Sequence, residues 1–172
     1  MSVIKNYPNL NFSLRFLASG FFISYVPASI FKNRKQTGAG LWGTLLALAF
    51  VPILPHQSYA YAIFLTLFIL FSIWVCDKVS FVGGRHDDPK IIIDEVAGYW
   101  VAIAFLPKTL PILISALVLF RFFDTVKPFF IKKLDRLKGG VGIVTDDLAS
   151  GLVTNIIVQI ALVVIHYYNL KI

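Results

Sequence analysis

The 172-residue sequence predicts an all-α fold, a polytopic integral membrane helical bundle, on three observations. Hydrophobic residues make up 58% of the chain and charged residues 15%, where a soluble domain carries roughly 25% charged. The apolar residues fall in long runs divided by short polar turns, and mean hydropathy is +0.78. The charges are segregated: all nine acidic residues lie between Asp77 and Asp147, and the first 76 residues hold none. Four or five spanning helices and a shorter N-terminal interfacial or re-entrant helix are expected, folded as one membrane-embedded domain over residues 1–172. Cys76 is the single cysteine, so no intrachain disulfide can form. The first 30 residues do not read as a cleaved signal peptide, because Lys5 is a thin basic start and no small-residue cleavage site follows an apolar core.

Leu10 to Phe31 is apolar but interrupted by Arg15, Gly20 and Pro27, which favours a re-entrant or interfacial helix over a full span. Leu41 to Pro55 is short, about 22 Å as a helix at ~1.5 Å per residue, and Pro52 and Pro55 close it. Ser58 to Cys76 is free of charge and reads as a clean span, followed by a polar loop over 77–90. Ile91 to Leu106 is apolar except for Asp94 and Glu95. A second arm follows from Leu110 to Phe123, which Pro128 should terminate. Leu148 to Leu170 reads as a long last helix with Tyr167 and Tyr168 as interface aromatics. The basic residues concentrate in 32–35, 77–90 and 121–138, three regions that hairpins over 41–76 and 91–123 place on one side. By the positive-inside rule that side is the cytoplasm.

The polar residues with chemical potential share that side. Asp94 and Glu95 open an apolar segment, where each charge at a helix centre costs about 2.5–3.5 kcal/mol; the bland alternative is a pair of helix-start acids. Arg121, Asp124 and Lys127 are spaced i, i+3, i+6, with a structural ion pair as the alternative. Gly139-Gly140-Val141-Gly142 reads as a tight turn whose N–H groups, at Gly140 and Gly142, can approach an anion. Asp146 and Asp147 stand where the last helix should start, with Thr145 or Asp146 able to cap it. His86 sits beside Asp87 and Asp88 in the 77–90 loop. Clustered carboxylates repel each other and repel phosphate, and a hard divalent cation removes both problems; oxygen donors favour Mg2+. Arg121, Lys127 and the glycine turn are then available for remaining phosphate charge. No Walker loop, zinc-type Cys/His set or Cys-x5-Arg phosphatase loop occurs. An ion-coupled transporter using the buried carboxylates is the competing class.

Four segments carry a resemblance: TGAGLWGTL (37–45), HDDPKIIIDEVAGYW (86–100), FRFFDTVKP (120–128) and LDRLKGGVGIVTDDLASG (134–151). In these the chain resembles the phosphatidylglycerophosphatase A family, over about Gly38 to Gly151. Two departures stand out: Lys127-Pro128-Phe129-Phe130 where the family usually has Lys-Pro-x-Pro, and Ser150-Gly151 where it often has Ala-Gly. The resemblance implies an Mg2+-dependent lipid phosphatase of the bacterial inner membrane that converts phosphatidylglycerophosphate to phosphatidylglycerol and phosphate. It implies a site built from Asp94, Glu95, Asp124, Asp146 and Asp147 as catalytic or metal-binding carboxylates. Arg121, Lys127, Gly140, Gly142 and His86 would hold substrate. The expected partners are a phospholipid and the membrane, with no nucleic acid.

Overall fold

The computed structural model describes residues 12–26, 38–83, 90–134 and 137–169. Among the described residues there are seven α-helices and no strand: α1 (Phe12–Ala18), α2 (Ala39–Ala49), α3 (Ser58–Gly83), α4 (Ile93–Ala102), α5 (Leu110–Val126), α6 (Phe129–Leu134) and α7 (Gly139–Asn169). A 3-10 turn over Val51–Ile53 extends α2. The all-helical expectation holds, but two helices rather than four or five are long and apolar enough to cross a membrane: Ser58–Ser80 in α3 and Gly139–Tyr168 in α7. Most of each is unburied by the rest of the chain, so Ile63, Leu67, Ile160 and Val163 face outward, as lipid contact requires.

The helices α2, α4 and α5 have 11, 10 and 17 residues, so α2 and α4, at ~1.5 Å per residue, are about half as long as a bilayer's hydrocarbon core of roughly 30 Å is thick. A helix end inside that core leaves carbonyls that hydrocarbon cannot satisfy, and side chains from neighbouring helices take them. Tyr61 donates to Trp100 O at 2.7 Å, and Asn155 Nδ2 donates to Ala102 O and Ala104 O at 3.0 and 2.9 Å. Gln159 fixes Asn155 through Oδ1, and Lys108 donates to Ile103 O. Trp100 Nε1 serves α2 in the same way through Ala47 O, at 3.0 Å. This explains why α4 ends at Ala102 although the apolar run continues to Leu106.

α4 and α7 share the largest interface, and α7 also packs on α3, α5 and α6. Eight of the ten residues of α4 are buried, which makes it the core of the bundle. One apolar cluster, around Tyr99, Trp100, Ile103 and Phe120, fills the half beyond the middle of α4. A smaller one, around Val75, Cys76, Val79, Ile93 and Val144, lies under its N-terminus.

Three boundaries differ from the sequence reading. α3 runs on to Gly83, so Asp77 and Lys78 are helical rather than in a loop. Residues 129–134, read as loop, form α6. α7 begins at Gly139, so the glycine run is helical, and Asp146 and Asp147 lie two turns inside rather than at a cap. Glycine costs about 1 kcal/mol in a helix interior, and tertiary contact offsets it here. A β-carbon at Gly140 would collide with Ile73 O on α3, and Asp77 Oδ1 accepts from Gly140 N at 3.2 Å. α3 thus caps α7 from outside.

The N-terminal segment is a short helix that reverses. Gly20, Phe21 and Phe22 have φ of 55, 61 and 65°, and Ser19 Oγ accepts from Phe22 N at 3.0 Å inside that turn. The turn docks beside the start of α4 through Ile92 N to Ala18 O (2.9 Å) and Ser24 Oγ to Lys90 O (2.8 Å). Its continuation to Phe31 lies outside the described residues.

Candidate active site at the acidic end of the bundle

Asp124 comes from the last turns of α5, and Asp146 and Asp147 from the third turn of α7. One carboxylate oxygen from each lies within 4.8 Å of the others. Two cations stand on this group. Arg121 Nη1 is 2.9 Å from Asp124 Oδ2, on the same face as its i+3 spacing predicts. Lys127 Nζ is 2.5 Å from Asp146 Oδ2. Lys127 reaches it because α5 ends there with Lys127 in the left-handed region, φ 44°, a strained choice for a side-chain-bearing residue.

Asp94 and Glu95 occupy the first turn of α4. Both lie in the electrostatic neighbourhood of Asp147, together with Asp124 and Asp146. The five carboxyls therefore form one acidic centre facing two side-chain cations, Arg121 and Lys127. If all ionise, the centre is left strongly negative. Asp94 Oδ1, Glu95 Oε2 and Asp147 Oδ1 are buried and accept no hydrogen bond from the protein. A buried unsatisfied acceptor is costly, and a charged one more so. An all-oxygen donor set with buried, uncompensated negative charge fits a hard divalent cation.

Close helix contacts bring these groups together at glycines to which the sequence gives no such role; Gly40, beside Gly38 in what reads as a flexible turn, lies inside α2. A β-carbon at Gly40 on α2 would strike Glu95 Oε1 and come within 2.8 Å of the Arg121 guanidinium. One at Gly43 would sit 2.9 Å from Ile92 Cβ, and one at Gly98 would lie 2.8 Å from Asp147 O. Small residues that let helix backbones meet are a signature of membrane packing, and isolated glycines inside helical runs were the available signal.

The remaining candidates are placed differently. Gly140 N donates to Asp77, so its N–H is engaged within the bundle. Gly142 is buried in the first turn of α7. His86, with Asp87 and Asp88, lies outside the described residues.

The fold and the site define a helical protein with two helices long and apolar enough to cross a membrane and a polyacidic centre, attended by Arg and Lys, at one end. The Phosphatidylglycerophosphatase A family model matches residues 16–162. A Haemophilus influenzae phosphatidylglycerophosphatase A is 33% identical over 124 residues, 71% of this chain and 75% of that protein. The Escherichia coli phosphatidylglycerophosphatase A is 32% identical over 120 residues, 67% and 69% of the two chains. A Bacteroides thetaiotaomicron protein, provisionally named a phosphatidylinositol-3-phosphatase, is 31% identical over 130 residues, 73% of this chain and 81% of its own. No solved structure matches the chain. The chain belongs to the phosphatidylglycerophosphatase A family and is a phosphatase.

Proposed function

We propose that this protein is an Mg2+-dependent phosphatase that removes the terminal phosphate monoester of phosphatidylglycerophosphate, yielding phosphatidylglycerol and inorganic phosphate. The observation that carries the reading is the convergence of Asp124, Asp146 and Asp147 beside Lys127 and Arg121, in a chain of this family. Asp124, Asp146 and Asp147 would hold the ion. When bound, Mg2+ supplies charge neutralisation and Lewis acidity at phosphoryl oxygens. Arg121 and Lys127 flank the same site and orient the phosphate through charge-assisted hydrogen bonds. Asp94 and Glu95 approach from α4 with an unpartnered oxygen each, the position from which a carboxylate can take a proton from the attacking water.

In the bilayer, we read α2, α4 and α5 as completing four or five membrane passages with α3 and α7. The acidic end then faces the cytoplasm of the bacterial inner membrane, the side that the Lys and Arg bias selects. A lipid's terminal phosphate sits at that depth while its acyl chains stay in the hydrocarbon.

Phosphate release from mixed micelles tests this, with phosphatidylglycerophosphate, phosphatidylinositol 3-phosphate, phosphatidylglycerol and glycerol 3-phosphate at matched concentration. Turnover should be fastest on phosphatidylglycerophosphate, depend on Mg2+ and cease in EDTA. Phosphatidylglycerol, a diester with two free oxygens, should be inert. Faster turnover of the inositol lipid would favour a second reading, which the Bacteroides relative supports. Release in detergent needs no ion gradient and so separates the enzyme from an ion-coupled transporter, which family membership does not favour.

A further inference from the structure

The opposite end of the bundle holds a second polar feature. A cavity of about 140 Å3, open on one side, is bounded by Leu54, His56, Ser58, Tyr61, Phe105 and Lys108 among others. Ser58 and Asp77 are separated by most of α3, about 28 Å at ~1.5 Å per residue, and Lys108 holds the carbonyl just past the far end of α4 from Asp94 and Glu95, so the cavity lies at the opposite end of the bundle from the acidic centre. Its volume holds on the order of ten water-sized positions, enough for a small polar headgroup and not for an acyl chain.

Its chemistry is one-sided. No lining residue is acidic, and Lys108 pairs with no described carboxylate. The Lys108 ammonium donates to Ile103 O and lies 4.9 Å over the Tyr61 ring, which leaves donor capacity toward the cavity. Burial lowers its pKa to about 8. His56 and Ser58 add further donors. At the lip, Phe105 holds φ 59° with 61% of its surface exposed, braced edge-on against Tyr61 at 5.9 Å. A bulky residue in the left-handed region costs on the order of 1–3 kcal/mol and needs its surroundings to hold it. Here they present an apolar ring beside a cationic pocket.

The geometry points to a binding site for an anionic phospholipid headgroup of the leaflet opposite the carboxylate centre, with its phosphate at Lys108 and His56 and its glycerol edge against Phe105. The lipid source is favoured over free phosphate because the lining offers apolar surface, the exposed Phe105 together with Val51, Leu54 and Leu106, which free phosphate cannot use. The inference stands apart from the proposed phosphatase substrate.

Native mass spectrometry of the full chain, purified in neutral detergent with EDTA, measures it. Added phosphatidylglycerol should be retained at least tenfold more than phosphatidylcholine. Lys108→Gln keeps a donor for Ile103 O but removes the charge, and should abolish the preference while phosphate release by the enzyme is unchanged. Lys108→Arg should keep the preference, which separates loss of charge from loss of fold. Equal retention of both lipids by the wild-type protein overturns the site, as does an unaltered preference in Lys108→Gln. Displacement of the lipid by inorganic phosphate at matched concentration overturns the lipid assignment.

Discussion

Gly98 on α4 and Gly151 on α7 meet backbone to backbone: a β-carbon on Gly151 would collide with the Gly98 carbonyl oxygen. Asp147 lies one turn before Gly151 and Glu95 three residues before Gly98, so this crossing sets the separation of the two helices that carry four of the five carboxyls. Neither helix can yield without moving its backbone.

Gly151→Ala should therefore lower stability by about 1–3 kcal/mol and abolish phosphate release. Leu152→Ala, on the outward face beside it, should do neither. Thermal unfolding in detergent and the phosphate assay read both. A fully active Gly151→Ala would mean that the crossing does not position the site.

Gly40→Ala acts through softer neighbours. Its β-carbon would strike the ends of Glu95 and Arg121, which can swing aside, rather than backbone. Activity should fall at least tenfold while the unfolding midpoint moves little. Equal losses in both would show that α2 matters for packing alone.

The carboxylates should separate by Mg2+ titration. Asp124→Asn and Asp147→Asn should raise the Mg2+ concentration for half-maximal activity on the order of tenfold or more, as loss of a ligand would. Asp94→Asn should lower kcat with that concentration unchanged. An unshifted Mg2+ curve for Asp147→Asn would remove it from the ligand set.

Asp77 should matter as an acceptor rather than as a charge. Asp77→Ala removes the cap on Gly140 N, a loss of about 1 kcal/mol, whereas Asp77→Asn keeps an acceptor and should recover most of it. Thermal unfolding of the two variants decides the matter.

Much of this was legible in the sequence because membrane helices announce themselves by length and composition. The i, i+3 spacing of Arg121 and Asp124 is a local property, and the ion pair is there at 2.9 Å. The proximity of Lys127 to Asp146 spans nineteen residues and depends on the left-handed end of α5, so no local rule exposes it. The glycine run misled for a physical reason. Gly139 does take φ 70°, as a turn would, but from Gly140 onward contact with α3 carries the chain into helix despite its propensity. Among the described residues two helices alone have the length of a full span. The apolar run of α4 says less about lipid than the others do, because an apolar run marks what is buried and eight of the ten residues of α4 are buried within the bundle.

The carbonyls at the end of α4 are taken by Tyr61, Asn155 and Lys108, drawn from three different parts of the chain. Pulling α3 or α7 away would strand those carbonyls in hydrocarbon, at several kcal/mol for each unsatisfied group. Partial opening is thus penalised more than it would be in water, where solvent would take up the loose bonds. The bundle should come apart in one step under mechanical extraction from a bilayer, with no long-lived half-extracted form.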